Sequence, residues 1–135
     1  MALPNGAGGY QLGDGNLSEL TSGYAAAPQT ATSTATLTAA QVTGGMLVAN
    51  PSTSAATYTL PTAAAIDAIV TSAKVGSTFQ LSVVNTGTSS GTVTLATATG
   101  ITDGGNAFVA VAVTSSAVFT FRKTGDAAWS VYKSA

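Results

Sequence analysis

The sequence contains no cysteine and no histidine. The first absence removes disulfides, thiolate metal sites and thiol redox chemistry. The second removes the usual general base and the commonest metal ligand. Charge is also scarce: four Lys and Arg and five Asp and Glu leave 7% of 135 residues charged, against 45% hydrophobic, where soluble proteins carry roughly 25% charge. Lys74, Arg122, Lys123 and Lys133 form no basic stripe, which argues against neutralising a nucleic-acid backbone or anchoring to an anionic membrane. The longest apolar run, Ala107 to Val113, is far too short to span a bilayer. The opening Met1-Ala2-Leu3-Pro4-Asn5-Gly6 has neither a basic segment nor an apolar stretch of signal-peptide length. The expectation is a soluble protein made without Sec export. With so little charge, solubility must come from Thr, Ser, Asn and Gln, and much of the surface is expected to be covered in the working state.

The polar residues that remain offer little chemistry. Asp103 and Asp126 could in principle form a glycosidase pair. They stand, however, in Asp103-Gly104-Gly105-Asn106 and Thr124-Gly125-Asp126, turn sequences in which an Asp accepts local backbone hydrogen bonds. No Gly-x-Ser-x-Gly elbow or Ser-x-x-Lys pairing stands in a catalytic context. Gly6-Ala7-Gly8-Gly9 lacks the preceding strand and following Lys-Ser or Lys-Thr of a phosphate loop. Asp14-Gly15-Asn16 and Asp103-Gly104-Gly105-Asn106 offer calcium too few oxygen ligands. The reading is of a protein that is not an enzyme and takes no cofactor, metal or small-molecule substrate.

What the chain does have is organised in two parts. Residues 1–33 are broken by Gly6, Gly8, Gly9, Gly13, Gly15 and Gly23, with Tyr10, Leu12, Leu17, Leu20 and Tyr24 spaced among them. A loose tail is the plain alternative, but disordered segments are usually poor in aromatic and large aliphatic residues. The pattern reads as an extended arm whose five large side chains anchor it to a partner.

Residues 34–135 read as a β domain. Strands are expected over Thr34 to Thr38, Gly45 to Ala49, Thr57 to Leu60, Thr78 to Asn85, Thr92 to Ala98, Ala107 to Thr114, Ala117 to Lys123 and Trp129 to Lys133. Thr38-Ala39-Ala40-Gln41 reads as a turn or one helical turn. Thr62 caps the one convincing helix, with Ala65, Ile66, Ile69 and Val70 at helical spacing. Phe79, Leu81 and Val83 share one strand face, as do Phe119 and Phe121, while Trp129 and Val131 alternate against Ser130 and Tyr132. Trp129, Phe79, Phe108, Phe119 and Phe121 are expected in the core rather than on a carbohydrate-stacking platform. Val109, Val111 and Val113 against Ala110 and Ala112 suggest a strand covered on both sides, since an exposed one would invite aggregation. The fold class is therefore all-β: a β-sandwich or jelly-roll-like barrel of about eight short strands with one short helix and an extended N-terminal arm.

Three stretches carry a family likeness: Thr36-Leu37-Thr38-Ala39-Ala40-Gln41-Val42, Gly45-Met46-Leu47-Val48, and Ala56-Thr57-Tyr58-Thr59-Leu60-Pro61-Thr62-Ala63-Ala64-Ala65. Val75-Gly76-Ser77-Thr78-Phe79, Val84-Asn85-Thr86-Gly87 and Phe119-Thr120-Phe121-Arg122-Lys123 continue it. On these residues the sequence resembles the small capsid decoration (cement) proteins of tailed bacteriophages, over most of the chain from about residue 34. Leu3-Pro4-Asn5-Gly6 and Gly13-Asp14-Gly15-Asn16 look similar to the capsid-binding arms of such proteins. The resemblance implies a homotrimer on the outer surface of an icosahedral virion, with the major capsid protein as partner, made in the bacterial host cytoplasm. Thr/Ala/Gly-rich strands also build phage head and tail fibres, so a fibre module that binds a host receptor or glycan is the alternative.

Overall fold

The computed structural model describes residues 27–135. Among the described residues, two sheets and two short helices make up a mostly-β fold. In chain order the elements are β1 (Gln29–Ala31), β2 (Ala35–Thr36), α1 (Ala39–Thr43), β3 (Met46–Ala49), β4 (Ala56–Thr59), α2 (Ala63–Ile69), β5 (Thr78–Asn85), β6 (Val93–Ala96), β7 (Ile101–Gly105), β8 (Ser116–Gly125) and β9 (Ala128–Lys133). A six-stranded sheet has the order β1-β3-β5-β8-β9-β7, and a three-stranded sheet the order β2-β4-β6.

From β1 to β6 each successive strand belongs to the other sheet, so the odd strands and the even strands stack as two parallel ladders. Parallel neighbours need a crossover between them, and here the crossover is the strand of the opposite sheet. One circuit carries Gln29 to the residue beside it, Leu47, and the next carries Leu47 to Val83. The second circuit is longer because it contains α2. Among the strands named here, β5 with β8 and β8 with β9 pair antiparallel, and β7 closes the sheet parallel to β9. This pairing differs from the antiparallel order of a jelly roll.

The inward faces of both sheets meet in one buried cluster. Leu47, Val83 and Ala117 lie side by side across three strands, as do Phe79, Phe121 and Val131, while Tyr58 and Leu95 pair on the second sheet. The Phe79 and Phe121 rings stack with centroids 4.7 Å apart, and Trp129 meets Phe79 edge-on at 5.3 Å, a cross-strand aromatic set that adds to the area buried. Phe108 packs half-buried against the same cluster. All five aromatics assigned to the core from sequence are therefore in or against it.

Local signals set the helices. Thr38 Oγ1 accepts from Gln41 N at 3.1 Å, and Gln41 Oε1 accepts from Thr38 N at 2.9 Å, the reciprocal capping box of a Thr-x-x-Gln sequence. Gln41 Nε2 also donates to Thr30 O, tying α1 to β1. Thr62 caps α2 through Ala65 N, and Ile66 enters the core. Ile69, expected on the buried face, is instead 54% exposed, while Ala63 and Ile66 take the inward side of the helix and Val70 packs against the core just beyond its end.

Three stretches differ from the sequence reading. Gln29–Ala31, assigned to the arm, is a sheet strand. Ile101–Gly105, whose Asp-Gly-Gly reads as a turn, is the edge strand β7. Conversely, Ala107 to Thr114 forms no strand: Val111 alone bridges to Val93, and Val109 is 53% exposed. The reason is competition for the backbone. Asp103 Oδ1 accepts from Ala107 N, and Asn85 Nδ2 donates to the carbonyls of Val111 and Ala112. Asn106 and Thr114 adopt positive φ at either end, a conformation that interrupts a ladder.

Asn85 is the polar fastening of this end of the core. Buried at 1% exposure, it also donates to Gly91 O and accepts from Gly87 N at 2.8 Å. Asn85→Ala strips several buried backbone groups of partners, and unfolding by urea should show a loss of about 2–3 kcal/mol; a loss under about 0.5 kcal/mol would show that the loop is held otherwise.

Candidate functional site

The five anchor residues expected to bind a capsid, Tyr10, Leu12, Leu17, Leu20 and Tyr24, lie outside the described residues. So does one of the two weak calcium sequences, Asp14-Gly15-Asn16. Glu19 also lies outside the described residues, whereas Asp67, Asp103 and Asp126 can be placed. Asp103 Oδ1 accepts from Gly105 N and Ala107 N, both at 3.0 Å, so it fastens its own chain as the turn reading anticipates. Asp126 sits exposed in the β8–β9 turn. Asp103 is level with Val131, three strand residues beyond Ala128, which puts the two carboxylates on the order of 10 Å or more apart. Among the described residues no three His, Cys, Asp or Glu gather closely enough to hold a metal ion.

The most concentrated polar cluster joins α2 to the β8–β9 hairpin, and it was not singled out from sequence. Asp67 Oδ1 accepts from Lys123 Nζ at 2.6 Å and from Trp129 Nε1 at 2.8 Å, while Oδ2 accepts from Ala127 N at 2.8 Å. The Lys123 side chain is 8% exposed and that of Asp67 25%. The ammonium also lies 5.5 Å from the centre of the Trp129 ring, within cation–π range. Lys123 follows Phe119 and Phe121 at strand period and is carried inward with them. Its hydrogen bonds with Lys123 and Trp129 hold the Asp67 carboxyl below its ordinary value, against a smaller opposing effect of burial. The Lys123, Trp129 and Ala127 donors converge on the one carboxylate, so the cluster is a latch between α2 and the hairpin.

Two surface hollows lie among the described residues. One, of about 520 Å³, is lined by Asn106, Val109, Lys133, Ser134 and Ala135. The other, of about 440 Å³, is lined by Val84, Asn85, Thr86, Thr114, Ser115 and Ser116. The first holds Lys133 as its one charged side chain, beside the Ser134 hydroxyl, and in the second the Asn85 amide is already occupied.

Compared with protein-family models, with curated proteins and with solved structures, the chain shows no match in any of the three.

Two outcomes test the latch. Asp67→Asn leaves a buried ammonium without its anion, and equilibrium unfolding should show a loss of about 2–3 kcal/mol; a change within about 0.5 kcal/mol would make the cluster incidental. The depressed carboxyl adds a pH dependence of known sign. Its contribution is complete above the unfolded value of about 3.9 and is lost as pH falls through the lower folded value. Thermal melts should therefore fall off more steeply below about pH 4 in the wild type than in Asp67→Asn.

Proposed function

We propose that this chain is a structural virion protein that binds the outer surface of an icosahedral phage capsid and bridges neighbouring major capsid subunits. The observation that carries the reading is where the arm joins the domain. Residues 1–26 lead into β1, the outermost strand of the six-stranded sheet, so the anchors Tyr10, Leu12, Leu17, Leu20 and Tyr24 start from the rim of the domain rather than from its middle. An attachment there leaves the folded part intact while the arm reaches a neighbouring surface.

The low charge and the family likeness support the same reading, with copies associating as a homotrimer. Several modest arm contacts on one oligomer become a tight attachment, because the first raises the effective concentration of the others. For the finer architecture we propose a β-sandwich, since one buried cluster fills the space between the two sheets. No catalytic role is part of the proposal. The fibre-module alternative calls for an exposed recognition surface, and the aromatics that could stack on a sugar, Phe79, Phe119, Phe121 and Trp129, are spent on the core.

Deleting residues 2–24 should leave a domain with unchanged far-UV circular dichroism and weaken co-sedimentation with capsids by roughly a hundredfold or more. Capsid binding that survives the deletion intact would overturn the arm's role.

A further inference from the structure

We propose that the outward face of the six-stranded sheet is the surface through which copies of this chain pack on one another; the inference rests on the self-association in the reading above and names its site. Strand register defines the face. Met46, Ser82 and Val118 lie abreast across β3, β5 and β8, as do Val48, Val84 and Ser116, and Gln80, Thr120 and Tyr132 across β5, β8 and β9. These positions alternate with Leu47, Leu81, Val83, Phe119 and Val131 of the core and so point away from it. Met46 is 40% exposed, and Val48, Val84, Val118 and Tyr132 are half-buried. The helices turn their buried residues, Val42 and Ile66, into the core instead.

Two properties favour a second copy as the occupant. The first is charge. Among the described residues Arg122 is the one charged side chain at an outward position of β5, β8 and β9, while Lys123 takes the inward parity and is paired with Asp67. A nearly neutral face gives a foreign partner no charge pattern to match, and it meets a copy of itself without repulsion between like charges. Rows of Val, Thr and Ser on a twisted sheet are also the kind of surface that packs on another sheet.

The second property is area. Strands about 4.8 Å apart that rise about 3.3 Å per residue, from 3 residues in β1 to 10 in β8, make an uneven face of just under about 600 Å². That falls at the lower end of what a specific interface takes from each partner, about 600–1,000 Å². The same face serves two copies about a two-fold axis or three copies about a three-fold axis.

The test is sedimentation velocity on the full chain over a concentration series, wild type against Val118→Lys, with Thr120→Lys as a second variant at a position that is already polar. Circular dichroism and thermal melting establish that each variant is folded. The expected result is a self-associating wild type and variants whose half-dissociation concentration is at least about tenfold higher. Folded variants that associate as the wild type does would overturn this face while leaving self-association standing. A wild type that stays monomeric at about 100 μM, where an interface of this size should associate, would overturn self-association and the face together. Capsid co-sedimentation of that monomer reads the shell-binding proposal separately.

Discussion

The structure depends on one constraint: a single apolar layer must be closed from both sides by a chain that changes sheet at nearly every strand. Between β1 and β6 no two consecutive strands are neighbours, so no ladder in that part forms from a local hairpin. Each parallel pair waits for a full circuit of the chain. The inward residues of seven strands, β3 to β9, meet in the same cluster, and each helps to fix the register of the others, because a slip of one residue would turn a core side chain to solvent. The antiparallel β5, β8 and β9, which carry Phe79, Phe119, Phe121 and Trp129, supply the bulkiest part of that layer.

Polar groups then fasten what apolar contact leaves loose, and each does so through one side chain with several partners. Asp67 closes α2 onto the β8–β9 hairpin, Asn85 gathers the loops at one end, and Gln41 joins its own helix cap to β1. Such economy suits a chain with so few charges. Three of the charged groups that can be placed, Asp67, Asp103 and Lys123, turn side-chain hydrogen bonds on the chain itself.

Much of this was legible in the sequence, for reasons that can be named. Strands with strict alternation, such as Thr78–Asn85 and Ser116–Gly125, declare both their type and their buried face. The caps at Thr38 and Thr62 work through side chains within three residues, so they too are local. The inward parity of Lys123 after Phe119 and Phe121 was visible, but its partner Asp67 was not, because a contact across that separation leaves no local trace. Ala107 to Val113 misled for the same reason: its alternating valines look like a strand, and the groups that claim its backbone come from Asn85 and Asp103. Gln29–Ala31 and Ile101–Gly105 were missed because short edge strands of Thr, Gln, Asp and Gly carry little hydrophobic pattern. Strand order, fixed by long circuits, was out of reach. The five anchors lie outside the described residues.

The proposed function divides the labour, with the nearly neutral β domain proposed to give shape and copy-to-copy contact and the segment that precedes β1 proposed to give attachment. The most direct measurement is cryo-electron microscopy of the particle that carries the chain. The account predicts density for the β domain on the outer face of the shell, in clusters of symmetry-related copies, with an arm running from the edge strand β1 onto an adjacent capsid subunit. Density confined to a fibre or tail tip, or a domain seated on the shell with no contact from its arm, would contradict it.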